Sequence, residues 1–204
     1  MTPILLFDAP QAPIDRKEIL RYAGVRGEAL EIEKLLDDCL LEIDGKLLSR
    51  VCYCELPIHK SGNEIHMGNM KFQSSHLSAH LKGCNRAIVF ATTIGIQIDR
   101  LLVKYSRISP AKALMLQAIG AERIEAVCDA FCQEIASKHA LTSRFSPGYG
   151  DLPLDIQTEI FSLLQCQKHL GLTLNESLLM SPTKSVTAII GIKQSKTSSI
   201  WRKA

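Results

Sequence analysis

The chain has 204 residues, 46% of them hydrophobic and 22% charged, with a net charge of +3. That is the make-up of one ordinary globular domain with a substantial core, and the charge is too small to argue for nucleic acid. No apolar run is long enough to cross a membrane, and the N-terminus "MTPILLFDAP" has neither the basic n-region nor the apolar h-region of a secretory signal. The seven cysteines are odd in number and form no C-x-x-C pair, so reduced thiols and a cytoplasmic protein are expected.

"PILLF" (3–7) reads as a short strand or an extended arm. In "PIDRKEILRYAG" (13–24) Asp15 is placed to cap a short helix, with Glu18 three residues on and Gly24 to end it. Leu30, Leu35, Leu36, Cys39, Leu40 and Ile43 recur at helical spacing and predict a helix over 28–43, followed by a turn at Asp44-Gly45. "KLLSRVCYCELPI" (46–58) is rich in β-formers and reads as a strand, with one more short strand within 62–72. A helix over 74–84 would be capped by Ser74 or Ser75.

"NRAIVFATTIG" (85–95) reads as a buried central strand, and period 3.6 returns over 96–109. Pro110 opens the longest helix, 111–140, in which Gly120 marks close packing or a break. One amphipathic helix is expected over 154–171, ending at Gly171, and "SVTAIIGI" (185–192) is the last strand. Few strands without a steady βαβ rhythm predict an α+β fold: a single domain over 1–204, its mixed or antiparallel central sheet flanked by helices. Residues 1–27 would be an N-terminal arm with a short helix, and 193–204 a flexible tail.

His76, His80 and Cys84 stand at i, i+4 and i+8, a spacing that can hold zinc on one helix face. No fourth ligand lies nearby, and Leu77 and Leu81 already bury the helix, so no metal is expected. Cys52 and Cys54 point to one side of their strand and are assigned to packing, as are Cys128 and Cys132 on the long helix. The sequence has no P-loop, G-x-G-x-x-G, G-x-S-x-G or H-E-x-x-H pattern.

"TSRFSPGYGD" (142–151) suits neither a helix nor a strand. Ser146 before proline is biased to extended backbone, Pro147 fixes φ, and Gly148 and Gly150 let main chain approach a ligand closely. Arg144 offers a bidentate grip on a carboxylate, and Tyr149 a flat face with a hydroxyl. The stretch is therefore either a pocket for an amino-acid-like or other anionic ligand, or an ordered loop capping the next helix.

"RFSPGY" (144–149) resembles the R-x-x-P-G-Y signature of the activation domain of cobalamin-dependent methionine synthase, which binds S-adenosylmethionine. "GCNRAIVFATTIG", "SPAKALMLQAIGAERIEAVCDAF" and "KHLGLTLNESLLMSPTKSV" extend the likeness over roughly 30–192. The resemblance implies an activation domain acting as a separate protein in methionine biosynthesis: a methyltransferase component that works only with a partner. That partner would be a cobalamin-dependent synthase lacking its own activation domain, re-methylated from cob(II)alamin with an electron donor such as flavodoxin or ferredoxin. The cobalamin would sit on the partner alone. By the same resemblance Arg144 would pair with the ligand carboxylate, and Ser146, Pro147 and Gly148 would form a main-chain wall. Tyr149 would orient the ligand and Glu125 would hold its ammonium group, with Glu122 and Asp129 as alternatives one turn away. No catalytic acid, base or nucleophile is implied. One departure stands out: the last strand carries Ile189 and Ile190 where the large synthases have an aromatic near the ligand. The alternatives are a regulatory protein that keeps the fold without S-adenosylmethionine, or a reactivator of another corrinoid methyltransferase.

Overall fold

The computed structural model describes residues 2–27 and 29–194. In chain order these form β1 (Leu5–Asp8), α1 (Arg16–Tyr22), α2 (Leu30–Ile43), β2 (Arg50–Ser61), β3 (Glu64–Met67), β4 (Met70–Gln73), α3 (Ser75–His80) and β5 (Cys84–Thr93). Then come α4 (Gln97–Tyr105), α5 (Pro110–Ala136), α6 (Ile156–Leu164), α7 (Cys166–Leu170), β6 (Thr173–Leu174), β7 (Met180–Ser181) and β8 (Ser185–Lys193). The main sheet runs β4-β3-β2-β5-β8, with β1 added to β2, and every pairing in it is antiparallel. The expected α+β architecture is thus present in its antiparallel form.

Helices cover both faces of the sheet, which is why its central strands read as unbroken apolar runs rather than alternating ones. On β5, Ile88 and Phe90 face α1, α2, α4 and α5, while Val89 and Ala91 face α3, α6 and α7. On β8, Ile190 and Ile192 take the first side and Ile189 the second. Phe131 of α5 sits at the centre of the first core, its ring 5.0 Å from Tyr53 and Phe90 and 5.7 Å from Phe7. The long strand β2 pairs with β1 through Tyr53 and with β3 from Ile58 onward. Pro57 falls between these two stretches, where a missing N–H costs no pairing on that edge.

Local signals explain the boundaries. Asp15 caps α1 by accepting from the Glu18 N–H at 3.0 Å. Ser74 does the same for α3 through Leu77 at 2.9 Å. Gly120 is a packing glycine: a Cβ there would meet Lys184 Cε at 2.8 Å and Ile98 Cγ2 at 3.1 Å, and α5 continues straight past it.

Several expectations need correction. Residues 62–72 hold two strands rather than one, because a second Gly-Asn turn follows the first. Gly62 and Gly68 take the positive φ (61° and 57°) that opens each hairpin turn. The single helix over 154–171 is two, α6 and α7, broken at Gln165 in the left-handed region (φ 48°). Leu164 and Cys166 are both fully buried, and two positions apart on one straight helix cannot face the same core. Cys84 begins β5 rather than continuing the helix of His76 and His80, so the three side chains never share a helix face. Lys193 ends β8 and Gln194 donates to the Gly83 carbonyl at 3.1 Å, so these two positions belong to the fold; the rest of the expected tail lies outside the described residues. Among those residues no helix is long and apolar enough to cross a membrane, and all seven cysteines are free.

Candidate functional site

The stretch after α5 runs along the outer edge of β8. The Phe145 N–H donates to the Ile189 carbonyl at 2.9 Å and the Ile189 N–H returns to Phe145 at 2.8 Å, while Thr142 pairs with Gly191. The Phe145 ring is buried, 5.2 Å from the ring of His80 and 5.3 Å edge-on from Tyr149. His80 donates through Nε2 to the Ser143 carbonyl at 2.8 Å. Arg144, next to Phe145, points the opposite way, back toward α5, because neighbours on an extended segment alternate sides.

The next four residues close a tight turn. The Tyr149 N–H donates to the Ser146 carbonyl at 3.1 Å, with Pro147 and Gly148 (φ 82°) at its two centres. This is the type II pattern: proline supplies the first φ, and only glycine takes the second cheaply. Tyr149 is left 69% exposed at the rim. Asp151 then fixes the loop to the start of α3, accepting from Ser74 Oγ, from both Oγ and N–H of Ser75 (2.6 and 2.7 Å), and from the His76 N–H. Those hydrogen bonds, led by the two serines, hold its carboxyl well below the usual range. Nothing in the sequence reading marked Asp151, although a capping carboxylate remote in sequence is an ordinary way to anchor a helix start.

Arg144 Nη2 lies 2.9 Å from Glu125 Oε2 and 3.1 Å from Asp129 Oδ1. Of the three acidic positions weighed on α5, two therefore converge on the arginine. Glu122 does not: it is 4% exposed, accepts from the Asp15 N–H at 3.0 Å, and pairs with Arg123. Arg123 also donates to the carbonyls of Ala12 and Pro13, so this pair clamps the N-terminal arm against α5. Burial opposes the charge on Arg144, but its anionic neighbours Glu125 and Asp129 favour it, and its pKa is raised. Cys128 is pushed up to about 12 by burial, so it is a neutral thiol beside the guanidinium.

Glu125 and Asp129 also form one wall of a groove of about 520 Å³ between α5 and the N-terminal segment. Asp15, Glu18 and Tyr22 stand on its other side. Periodicity along α5 could have shown which acids share a stripe, but no local pattern could show that α1 packs beside them. Ile189 and Ile190 are fully buried, one on each face of the sheet, so neither is available to stack on a ligand. Among the described residues no three His, Cys, Asp or Glu side chains are placed to hold a metal.

The arrangement supplies one cation held by two carboxylates, the carboxylates lining an acidic groove, with a glycine turn and an exposed aromatic following the arginine in the chain. It can hold a zwitterion and orient it, and it contains no paired base and nucleophile. No curated protein matches the chain. In fold it is similar to the crystal structure of the MetH reactivation domain bound to AdoHcy, with a TM-score of 0.68 and 18% identity, over 96% of this chain and 80% of that one. Residues 78–199 match the family model described as vitamin B12 dependent methionine synthase, activation domain. The match runs from the last residues of α3 through β8, including the arginine loop and its two carboxylates, and the chain belongs to that activation-domain family.

Proposed function

We propose that this protein is a reactivation component of cobalamin-dependent methionine synthase, which binds S-adenosylmethionine at the Arg144 loop. Arg144 takes the ligand's carboxylate and Glu125 its ammonium group. Ser146, Pro147 and Gly148 present main chain as a wall, and Tyr149 lies against the ligand from the rim. The observation that carries this reading is the Arg144–Glu125–Asp129 cluster beside the Ser146–Tyr149 turn, in a chain of the activation-domain family. A guanidinium and a carboxylate held 2.9 Å apart match the two charged ends of an amino acid, each of which replaces one member of the resting pair.

The cobalamin would sit on the partner synthase and, once reduced by one electron from a donor such as flavodoxin or ferredoxin, would supply the nucleophile that accepts the methyl, the C–S electron pair staying on sulfur. The part left to this chain is positioning: it fixes the sulfonium and keeps the methyl outward at an exposed rim. No base is required. Free thiols throughout support a cytoplasmic setting.

Calorimetry with S-adenosylmethionine tests the grip. Arg144→Ala is expected to weaken binding by about 10- to 150-fold, the equivalent of 1.5–3 kcal/mol for a hydrogen bond to a charged group. Unchanged affinity at unchanged stability would overturn the assignment. The burial of Ile189 and Ile190 favours one rival, a regulatory protein of the same fold that does not bind S-adenosylmethionine; absence of any binding by the wild type would establish it. Reactivation of a different corrinoid methyltransferase would use the same grip with another partner.

A further inference from the structure

We infer that Asp129 makes the site prefer the charged methyl donor over its neutral demethylated product, an inference that rests on the ligand reading above. The cluster holds one positive and two negative groups: Arg144, Glu125 and Asp129, all within one hydrogen-bonded set. An amino-acid end brings one carboxylate, which satisfies Arg144, and one ammonium, which satisfies a single carboxylate. One acid is then left over.

The neighbours do not cancel it. Across the groove Glu18 is paired with Arg21, and Glu122 with Arg123. Asp15 adds negative charge of its own on the far wall. The thiols of Cys128 and Cys132 have raised pKa values through burial and stay neutral. The uncompensated carboxylate therefore faces a ligand whose remaining charge decides the balance. S-adenosylmethionine carries a sulfonium cation; S-adenosylhomocysteine, one methyl lighter, carries a neutral thioether.

The spacing fits. Glu125 and Asp129 stand at i and i+4 on α5, with Cβ atoms about 5–6 Å apart. In the ligand the sulfur stands three bonds from the carbon that bears the ammonium, a reach comparable to one helical turn. With the ammonium on Glu125, Asp129 lies on the sulfonium side. Asp129 is 63% exposed, so the preference is modest, about three- to fivefold, the upper half of what exposed ion pairs contribute. Such a bias loads the donor and releases the spent product, which differs from it by one methyl group and one charge.

The test is calorimetry with S-adenosylmethionine, S-adenosylhomocysteine and sinefungin, which puts an ammonium near the sulfonium position. Wild type and Asp129→Asn are compared at low salt and at high salt. Wild type is expected to bind both cationic ligands about three- to fivefold more tightly than the thioether, with the margin shrinking at high salt. Asp129→Asn should bring the ratio toward one, because it removes the charge that favours the sulfonium and leaves the grip on the amino-acid end, common to both ligands, to act equally. A ratio unchanged by Asp129→Asn, or a wild type without the preference, overturns the inference and leaves the site assignment standing. A wild type that binds none of the three overturns both.

Discussion

Two adjacent residues of the loop, Phe145 and Arg144, should behave oppositely on truncation. The Phe145 ring is 5% exposed and joins the core beneath α3, α6 and α7. It also meets the rings of His80 and Tyr149 at 5.2 and 5.3 Å. Phe145→Ala keeps the two main-chain bonds to Ile189 but empties the ring's site. Core Phe→Ala changes cost about 3–5 kcal/mol. Phe145 sits at the margin of its cluster, where residues 146–152 can partly close the gap, so about 3 kcal/mol is expected, the aromatic contacts included. For a chain of this size that is a fall in Tm of about 6–12 °C. Arg144→Met keeps the stem and loses only a partly solvated ion pair, for a cost below about 1 kcal/mol. Urea unfolding with a common m-value measures both. If Phe145→Ala loses less than about 1 kcal/mol, or Arg144→Met loses as much as Phe145→Ala, the ring does not anchor the loop and the separation of support from grip is wrong.

Other regions give independent checks. Burial opposes the charge on Glu42, but hydrogen bonds from Lys112, Lys104 and Tyr105 outweigh it and hold its carboxyl at about 2. Its folded pKa is thus below the unfolded value, so its contribution is complete above about pH 5 and lost as pH falls toward 2. Glu42→Gln should cost about 1–2 kcal/mol at pH 7, and its denaturation curves should merge with those of the wild type near the acid end of that window. Six of the seven cysteines are buried and Cys132 is half-buried, so the native protein should offer one thiol to a disulfide reagent within minutes and Cys132→Ser should remove it; several fast thiols would contradict the packing. Gly120→Ala should destabilise by about 1–2 kcal/mol, because the clash with Lys184 and Ile98 exceeds the roughly 1 kcal/mol gained in helix propensity; a stabilised variant would show that α4 and α5 pack less closely.

Much of this was legible in the sequence because the signals were local. Asp15 and Ser74 announced their helices, the apolar run Ile88-Val89-Phe90-Ala91 announced a strand buried on both faces, and Pro147-Gly148 announced a turn that main-chain bonds then closed. The break at Gln165 was not legible, because no proline or glycine marks it; it follows from burying both Leu164 and Cys166. Which of Glu122, Glu125 and Asp129 lie beside Arg144 was also beyond sequence spacing. Glu122 is drawn away by a partner over a hundred residues distant, since Asp15 and Arg123 occupy it, and the other two meet Arg144. Asp151 escaped notice for the same reason: the α3 start it holds is 76 positions earlier in the chain.

Recovery of methylcobalamin tests the central claim most directly. The protein, saturated with S-adenosylmethionine, is mixed with the cob(II)alamin form of its methionine synthase and a low-potential reductant, and the cobalamin absorption spectrum is followed. The expected result is conversion to methylcobalamin that requires this protein and S-adenosylmethionine together, is lost with Arg144→Ala, and is reduced with Tyr149→Ala. A spectrum that stays at cob(II)alamin, or a recovery indifferent to Arg144, would contradict the account.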